Sequence, residues 1–410
     1  MTTTDVFRLP GFLGFWAAGT VSEFGSYVTS IALQVLVLTT LHGTAFDVGL
    51  VNASRWVPYL LFGLVIGALV ERRRRKPLLI GADIGRGILL GLIPLLAFLG
   101  HLSVPILMAF VAVFGLFSLV NDAAIQSFLP RLVPRSALLA ANARIDQSSS
   151  VAQTSGPAIG GALVSLVGAP VAVFVDAASY FFSAVALSRI RVGEPVPSQA
   201  AEGSLWRDIG EGLRWVYGHR TLAPIAISTH IWFVFSSMLG TAYVPFALLA
   251  QHLNAFELGL TLSAAGVGGL VGSLFSARIG RRWGAGHAVI ACLLVEPVSW
   301  AVIALSPPGN HLGAIVVLAT GQGIFGLALG ASNANEMGYR QAVTPDALQG
   351  RTNTTMRSFN RAAIIIGAPL GGLLADTIGY RATFWIGVAG FLLAAAILVA
   401  SPFRRERHPE

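Results

Sequence analysis

Apolar stretches long enough to cross a bilayer recur from one end of this chain to the other, and short loops between them hold most of its charge. Twelve such stretches fall at residues 12–40, 46–70, 77–100, 104–128, 145–168, 170–189, 222–250, 256–277, 286–306, 312–336, 354–378 and 382–402. A helix of about 20 apolar residues spans a hydrocarbon core about 30 Å thick, so each stretch reads as a transmembrane helix. Of the 410 residues 54% are hydrophobic and 11% charged, against about 25% charged in soluble domains. A soluble globule of this length has no interior large enough for so much apolar surface. The expectation is an all-α integral membrane protein with twelve transmembrane helices in two six-helix, pseudo-symmetric bundles.

The basic residues orient it. With the N-terminus inside, 22 of the 27 Lys and Arg fall in the tails and loops of one side, one (Arg381) falls on the other, and four (Arg55, Arg86, Arg357, Arg361) lie within helices. By the positive-inside rule both termini are cytoplasmic and the helix count is even. The first stretch is too long for a cleavable signal peptide and reads as a retained helix. The expected location is the inner cell membrane, as a multi-pass protein.

One long polar connection divides the chain into an N-terminal bundle, 1–190, a cytoplasmic linker, 191–221, and a C-terminal bundle, 222–410. Within the linker Trp206, Ile209, Leu213 and Val216 fall at helical spacing. They suit either a short helix on the membrane surface or a solvated linker with one amphipathic turn. An internal repeat supports the division. Gly156-Pro-Ala-Ile-Gly-Gly161 aligns with Gly367-Ala-Pro-Leu-Gly-Gly372 at an offset of 211, and Pro134, Asn142 and Gly168 meet Pro345, Asn353 and Gly379 at the same offset. Gly63 and Gly67 are echoed by Gly268 and Gly272. Copies that start on the same side are parallel repeats.

The stretch Gly67-Ala-Leu-Val-Glu71-Arg72-Arg73-Arg74-Arg75-Lys76 resembles the loop 2–3 signature of the major facilitator superfamily, G-x-x-x-D-R-x-G-R-R. Glu71 stands for the usual Asp and Arg74 for the usual Gly. Gly156, Pro157, Gly160 and Gly161 resemble the helix 5 motif of its drug:proton antiporters, although the helix 4 arginine of many such exporters is missing. Asp83-x-x-Arg86 and Leu129-Pro-Arg-Leu-Val-Pro134 are similar to the macrolide-efflux and enterobactin-exporter-like branch. The resemblance implies proton-driven export of an amphipathic or cationic small molecule by alternating access, with siderophore or metabolite export, or proton-coupled uptake, as the alternative. It also implies a cytoplasmic latch made by the loop 2–3 residues, and a monomer as the default state.

Ionisable residues near the bilayer centre cost about 2.5–3.5 kcal/mol on insertion scales and therefore need a partner or a function. Glu23 lies about eleven residues into the first helix, roughly 16 Å deep. It shares one face with Gly19, Ser26, Ser30 and Gln34, a polar stripe suited to a water-accessible cavity. A carboxyl there can take a proton from one side and release it to the other; a structural hydrogen bond to a neighbouring helix is the alternative. Arg55, about fifteen residues or roughly 22 Å from the cytoplasmic end of the second helix, is the natural counter-charge, so a Glu23–Arg55 pair is expected. Asp176 is an alternative proton site, or a carboxyl bonded to Ser179 or Tyr180. Asp83, Arg86 and Asp122 are assigned, with Gly67, Glu71, Arg72 and Arg75, to a charge network closing the cytoplasmic gate. Glu296 is assigned a structural role, and Glu336 the inner mouth, against Arg357 or Arg361. Trp56, Trp232, Phe233 and Phe235 are candidate aromatic contacts for a planar or cationic substrate, or lipid-facing rings.

Other classes are disfavoured. The net charge of +8 sits in short loops and forms no aromatic-laced basic patch, which speaks against nucleic acid. A single cysteine, Cys292, excludes an intrachain disulfide, and the eight histidines show no metal-ligand spacing. No Gly-rich loop ends in Gly-Lys-Ser/Thr, which speaks against ATP-driven pumping. No enzymatic activity, metal or cofactor is expected; the partners are protons, the substrate and the bilayer.

Overall fold

The computed structural model describes residues 6–71, 73–191 and 205–407. Thirteen α-helices follow one another among these residues: α1 (Phe12–Val35), α2 (Ala45–Glu71), α3 (Arg75–Phe98), α4 (Val104–Leu132), α5 (Leu138–Val167), α6 (Ala169–Arg189), α7 (Leu205–Gly218), α8 (Leu222–Pro245), α9 (Ala255–Trp283), α10 (Ala285–Ala304), α11 (His311–Val343), α12 (Asp346–Ile378) and α13 (Tyr380–Ala400). Ten are long and apolar enough to cross a membrane. α2 and α5 are not among those ten, though at 27 and 30 residues they reach about 40 and 45 Å at 1.5 Å per residue. Large apolar side chains stand in the open along the outer helices, Leu166 at 82%, Leu274 at 72% and Phe98 at 71% exposure. A soluble protein does not tolerate such a surface.

Several helices outrun the apolar stretches that announced them. α4 continues to Leu132, α5 begins at Leu138, α11 runs to Val343 and α12 begins at Asp346. Hydropathy falls where a helix leaves the hydrocarbon, but the backbone ladder continues into water. The linker contains a helix, α7, which packs on α12 and α8. Val216 is fully buried there with Leu222, Tyr339, Met356 and Phe403, and Arg351 of α12 reaches Glu211 at 2.5 Å.

The chain divides into two compact units, one of residues 1–42 and 54–202, the other of residues 43–53 and 203–410. α2 is shared. Its opening turns belong to the second unit because they lie on α12: Asp376 accepts hydrogen bonds from the backbone N–H groups of Ala45 (3.2 Å) and Phe46 (2.8 Å). This carboxylate satisfies two of the donors that a helix start leaves unpaired.

The repeat seen in the sequence reappears in backbone detail. α1 ends in a π-helical turn, Leu36–Thr40, and α8 in another, Phe246–Ala250, at an offset of 210. Each is followed by a histidine of positive φ, His42 at 50° and His252 at 55°. Gly168 (φ 81°) joins α5 to α6, and Gly379 (φ 89°) joins α12 to α13; this conformation strains any residue with a Cβ. Gly156 and Gly160 let α5 close on Tyr27 and Val28 of α1, while Gly367 and Gly371 let α12 close on Val234 and Met238 of α8. Small residues at such crossings allow backbones to approach.

Candidate functional site

Within the first unit, faces of α1, α3, α4, α5 and α6 enclose a cavity of about 330 Å³. Phe15 and Trp16 supply apolar wall, and Glu23, Ser26, Asp83, Arg86, Asn121 and Asp122 supply polar groups. The half-buried Glu23 carboxylate accepts a 2.7 Å hydrogen bond from Ser149 Oγ of α5. One turn further along α1, Ser26 Oγ lies 3.1 Å from the Tyr180 hydroxyl of α6. The Arg86 guanidinium sits over the Tyr180 ring, 4.3 Å from its centroid, close enough for a cation–π contact.

Arg86 is also ion-paired with Asp83, three residues earlier on the same face of α3. Asp83 is 1% exposed, and it additionally accepts from Ser183 Oγ at 2.6 Å and Asn121 Nδ2 at 3.4 Å. A buried pair holds only when its remaining lone pairs are satisfied in this way. Asp122, on the exposed side, accepts from the Tyr59 hydroxyl at 2.7 Å. Neither Glu23 nor Asp122 forms an ion pair among the described residues. Three carboxylates and one guanidinium thus line this cavity, and that guanidinium is already engaged by the most buried of the three.

Behind Tyr180, Asp176 is fully buried and outside the cavity lining. Its carboxylate accepts from Thr29 at 2.5 Å and from Ser179 at 2.8 Å. Room for it exists because residue 25 of α1 is glycine; a Cβ there would collide with the carboxylate.

The structure corrects one sequence expectation. The Glu23–Arg55 pair is not formed. Arg55 lies 5.6 Å from the ring centroids of Trp56 and Phe114, with its Nε buried and without a hydrogen-bond partner. Glu23 is served instead by a hydroxyl from α5, which depth along the helix cannot reveal. The described residues assigned to the cytoplasmic gate meet different neighbours. Asp83 and Arg86 turn into the same cavity as Glu23, Asp122 bonds to Tyr59, and Arg75 donates to the Arg73 carbonyl at 3.1 Å. Arg72 and the side chain of Glu71 lie outside the described residues. A Cβ on Gly67 would meet nothing within 4 Å. Glu336 lies 3.6 Å from Arg340, one turn along α11.

Other candidates lie away from the cavity. Ser30 is exposed and accepts through its carbonyl from Gln34 at 3.1 Å. Trp56 packs on Tyr59, and Phe235 fills the space left by Gly390 of α13. In the second unit Trp232 packs against Phe233, Phe325 and Phe391. Its indole N–H donates to Glu296, which is 1% exposed and whose Oε1 has no partner. Thr29, Asn121, Ser149 and Ser183 were not singled out in the sequence. Thr29, Asn121 and Ser183 stand out only as polar residues in largely apolar helices, and Ser149 lies in the polar run Asp146-Gln-Ser-Ser-Ser150.

The transmembrane secretion effector family matches residues 2–408. The chain belongs to this family. It is thereby a member of the major facilitator superfamily, as its loop 2–3 and helix 5 motifs implied. Among curated proteins it is 28% identical to the multidrug efflux pump Tap of Mycolicibacterium fortuitum, covering 98% of each chain. It is 25% identical to macrolide efflux protein A of Streptococcus pyogenes, covering 95% of this chain and 94% of that one. In fold it is similar to the nucleoside transporter NupG, with a TM-score of 0.77 at 12% identity over 95% of this chain and 98% of that one. A bacterial homologue of the iron transporter ferroportin gives 0.74 at 15% identity, over 95% and 98%. This family member is therefore an integral membrane transporter.

Proposed function

We propose that this transporter exports amphipathic or cationic small molecules in exchange for protons, by alternating access of two six-helix bundles. Twelve spans follow if α2 and α5 join the ten apolar helices, with α7 outside the bilayer. The loop charges then put both termini in the cytoplasm. Two relatives named as multidrug and macrolide efflux pumps support the direction and the substrate class.

The observation that carries the reading is the charge imbalance of the cavity. Glu23 and Asp122 each hold one hydroxyl donor and no cation. A cationic substrate entering beside Phe15 and Trp16 would supply the missing counter-charge, and a proton on Glu23 would remove the need for one. Proton and substrate thus compete for one carboxylate, which is the elementary requirement of exchange. Asp176, tied to two hydroxyls behind Tyr180, is a second carboxylate able to store a proton. The gradient is the energy source, and no cofactor or chemical conversion is required.

The test is a susceptibility panel of macrolides and lipophilic cations in a strain without its own exporters. The intact chain should raise the inhibitory concentration of at least one compound, and Glu23→Gln should abolish the increase while expression is unchanged. Full protection by Glu23→Gln would refute the role of Glu23.

A further inference from the structure

The ends of α1 and α6 in the first unit frame a second hollow, a groove of about 610 Å³ on the outer face of the unit. Leu13, Gly14 and Ala17 line it from one face of α1, and Phe182 and Val185 from one face of α6. The spacings of three and four residues show that a single side of each helix contributes. Gly14 is what hollows the groove. A Cβ there would sit 3.8 Å from Ile190 and 3.9 Å from the Ala186 carbonyl, so a larger side chain would fill the gap. Leu13, Phe182 and Val185 remain 54%, 49% and 49% exposed.

Arg189 and Arg191 close one end of this apolar trough. Both are exposed, and among the described residues neither guanidinium makes a hydrogen bond or ion pair. The C-terminus of a helix normally repels anions, because its last carbonyls point outward. Here Lys76 Nζ donates to the carbonyls of Ser188 and Ile190 at 2.8 Å each. That contact neutralises the helix end and leaves the two arginines free to act on a ligand. Along α6, Phe182 and Arg189 are seven residues apart, about 10 Å at 1.5 Å per residue.

We infer that this groove is a binding site for one anionic glycerophospholipid, with its phosphate on Arg189 and Arg191 and the first part of an acyl chain between α1 and α6. The charge and the apolar trough lie in the order in which a lipid presents headgroup and tail. The solvent around the groove is the bilayer itself, which makes a lipid the occupant already at hand. Basic pockets between transmembrane helices recognise such headgroups. The inference rests on the chain being an integral membrane protein, and not on what it transports.

The test is native mass spectrometry of the full chain, purified in detergent and titrated with phosphatidylglycerol or phosphatidylcholine of the same acyl composition. One molecule of phosphatidylglycerol should bind with at least about tenfold preference. R189Q/R191Q should lose that preference by about tenfold or more. R189K/R191K keeps the charge and should retain most of it; this variant covers the case in which the glutamine protein fails to fold. Gly14→Leu, which fills the trough, should weaken both lipids while leaving the arginines intact. Equal binding of the two lipids, an unchanged preference in R189Q/R191Q, or equal displacement by soluble glycerol phosphate would overturn the inference.

Discussion

In the first unit both oxygens of Asp83 and both of Asp176 accept hydrogen bonds, and Asp83 is also paired with Arg86. In the second unit Glu296 receives one bond, from Trp232, and its Oε1 receives none. Its surroundings are rings, with Trp232, Phe325 and Phe391 lying within 12° of parallel at centroid distances of 6.1 to 6.4 Å. One unit thus holds its buried charge with polar groups from several helices, and the other embeds a carboxyl in aromatic packing. An unsatisfied polar group in hydrocarbon is expensive. The first arrangement fixes the shape of a cavity and leaves Glu23 and Asp122 as its responsive groups. The second leaves hydrogen-bonding capacity unused beside a large, well-packed ring.

The contrast breaks first at Arg86. Arg86→Leu leaves Asp83 buried without its cation and should cost about 3–5 kcal/mol, read as a large drop in the thermal unfolding midpoint in detergent. Asp83→Leu with Arg86→Leu should recover most of that loss. A single variant as stable as the wild type would show that the pair is not what holds α3 to α4 and α6. The glycine crossings come next, where the units should behave alike. Gly160→Leu and Gly371→Leu each force a side chain into a neighbouring backbone and should cost about 1–3 kcal/mol; a large effect in one unit only would break the equivalence of the repeats.

The remaining two variants probe the second unit. Trp232→Phe keeps the ring packing but removes the one donor to Glu296, and should cost about 1–2 kcal/mol. Glu296→Gln keeps an acceptor for the indole N–H and should change stability by less than about 1 kcal/mol. If Glu296→Gln instead proved as costly as Arg86→Leu, the difference drawn between the units would be wrong.

Much of this was legible in the sequence, for physical reasons. Apolar length reports the thickness of the hydrocarbon, so most spans stood out. The repeat of Gly156–Gly161 in Gly367–Gly372 reports a helix crossing used twice. Glu23 stood out because a carboxyl among apolar residues is costly. What the sequence hid was partnership. Ser149, the donor to Glu23, is 126 residues away in the chain, and a serine carries no mark of the helix it will face. In the sequence Arg55 reads as the better partner because opposite charge is visible in one dimension and packing is not. Gly25 looked like any glycine in an apolar helix, yet it makes the space for Asp176. Helix ends such as Leu138 and Val343 were missed because hydropathy measures the lipid boundary, not the end of the hydrogen-bond ladder.

The central claim is that a proton and a cationic substrate compete for Glu23 in the first-unit cavity. Its most direct test is flux of a fluorescent lipophilic cation in proteoliposomes under an imposed pH gradient. The account predicts uptake against the dye gradient that collapses when a protonophore is added, and that is lost in Glu23→Gln while Asp122→Asn keeps a measurable fraction. Gradient-driven flux in Glu23→Gln equal to that of the wild type would contradict it.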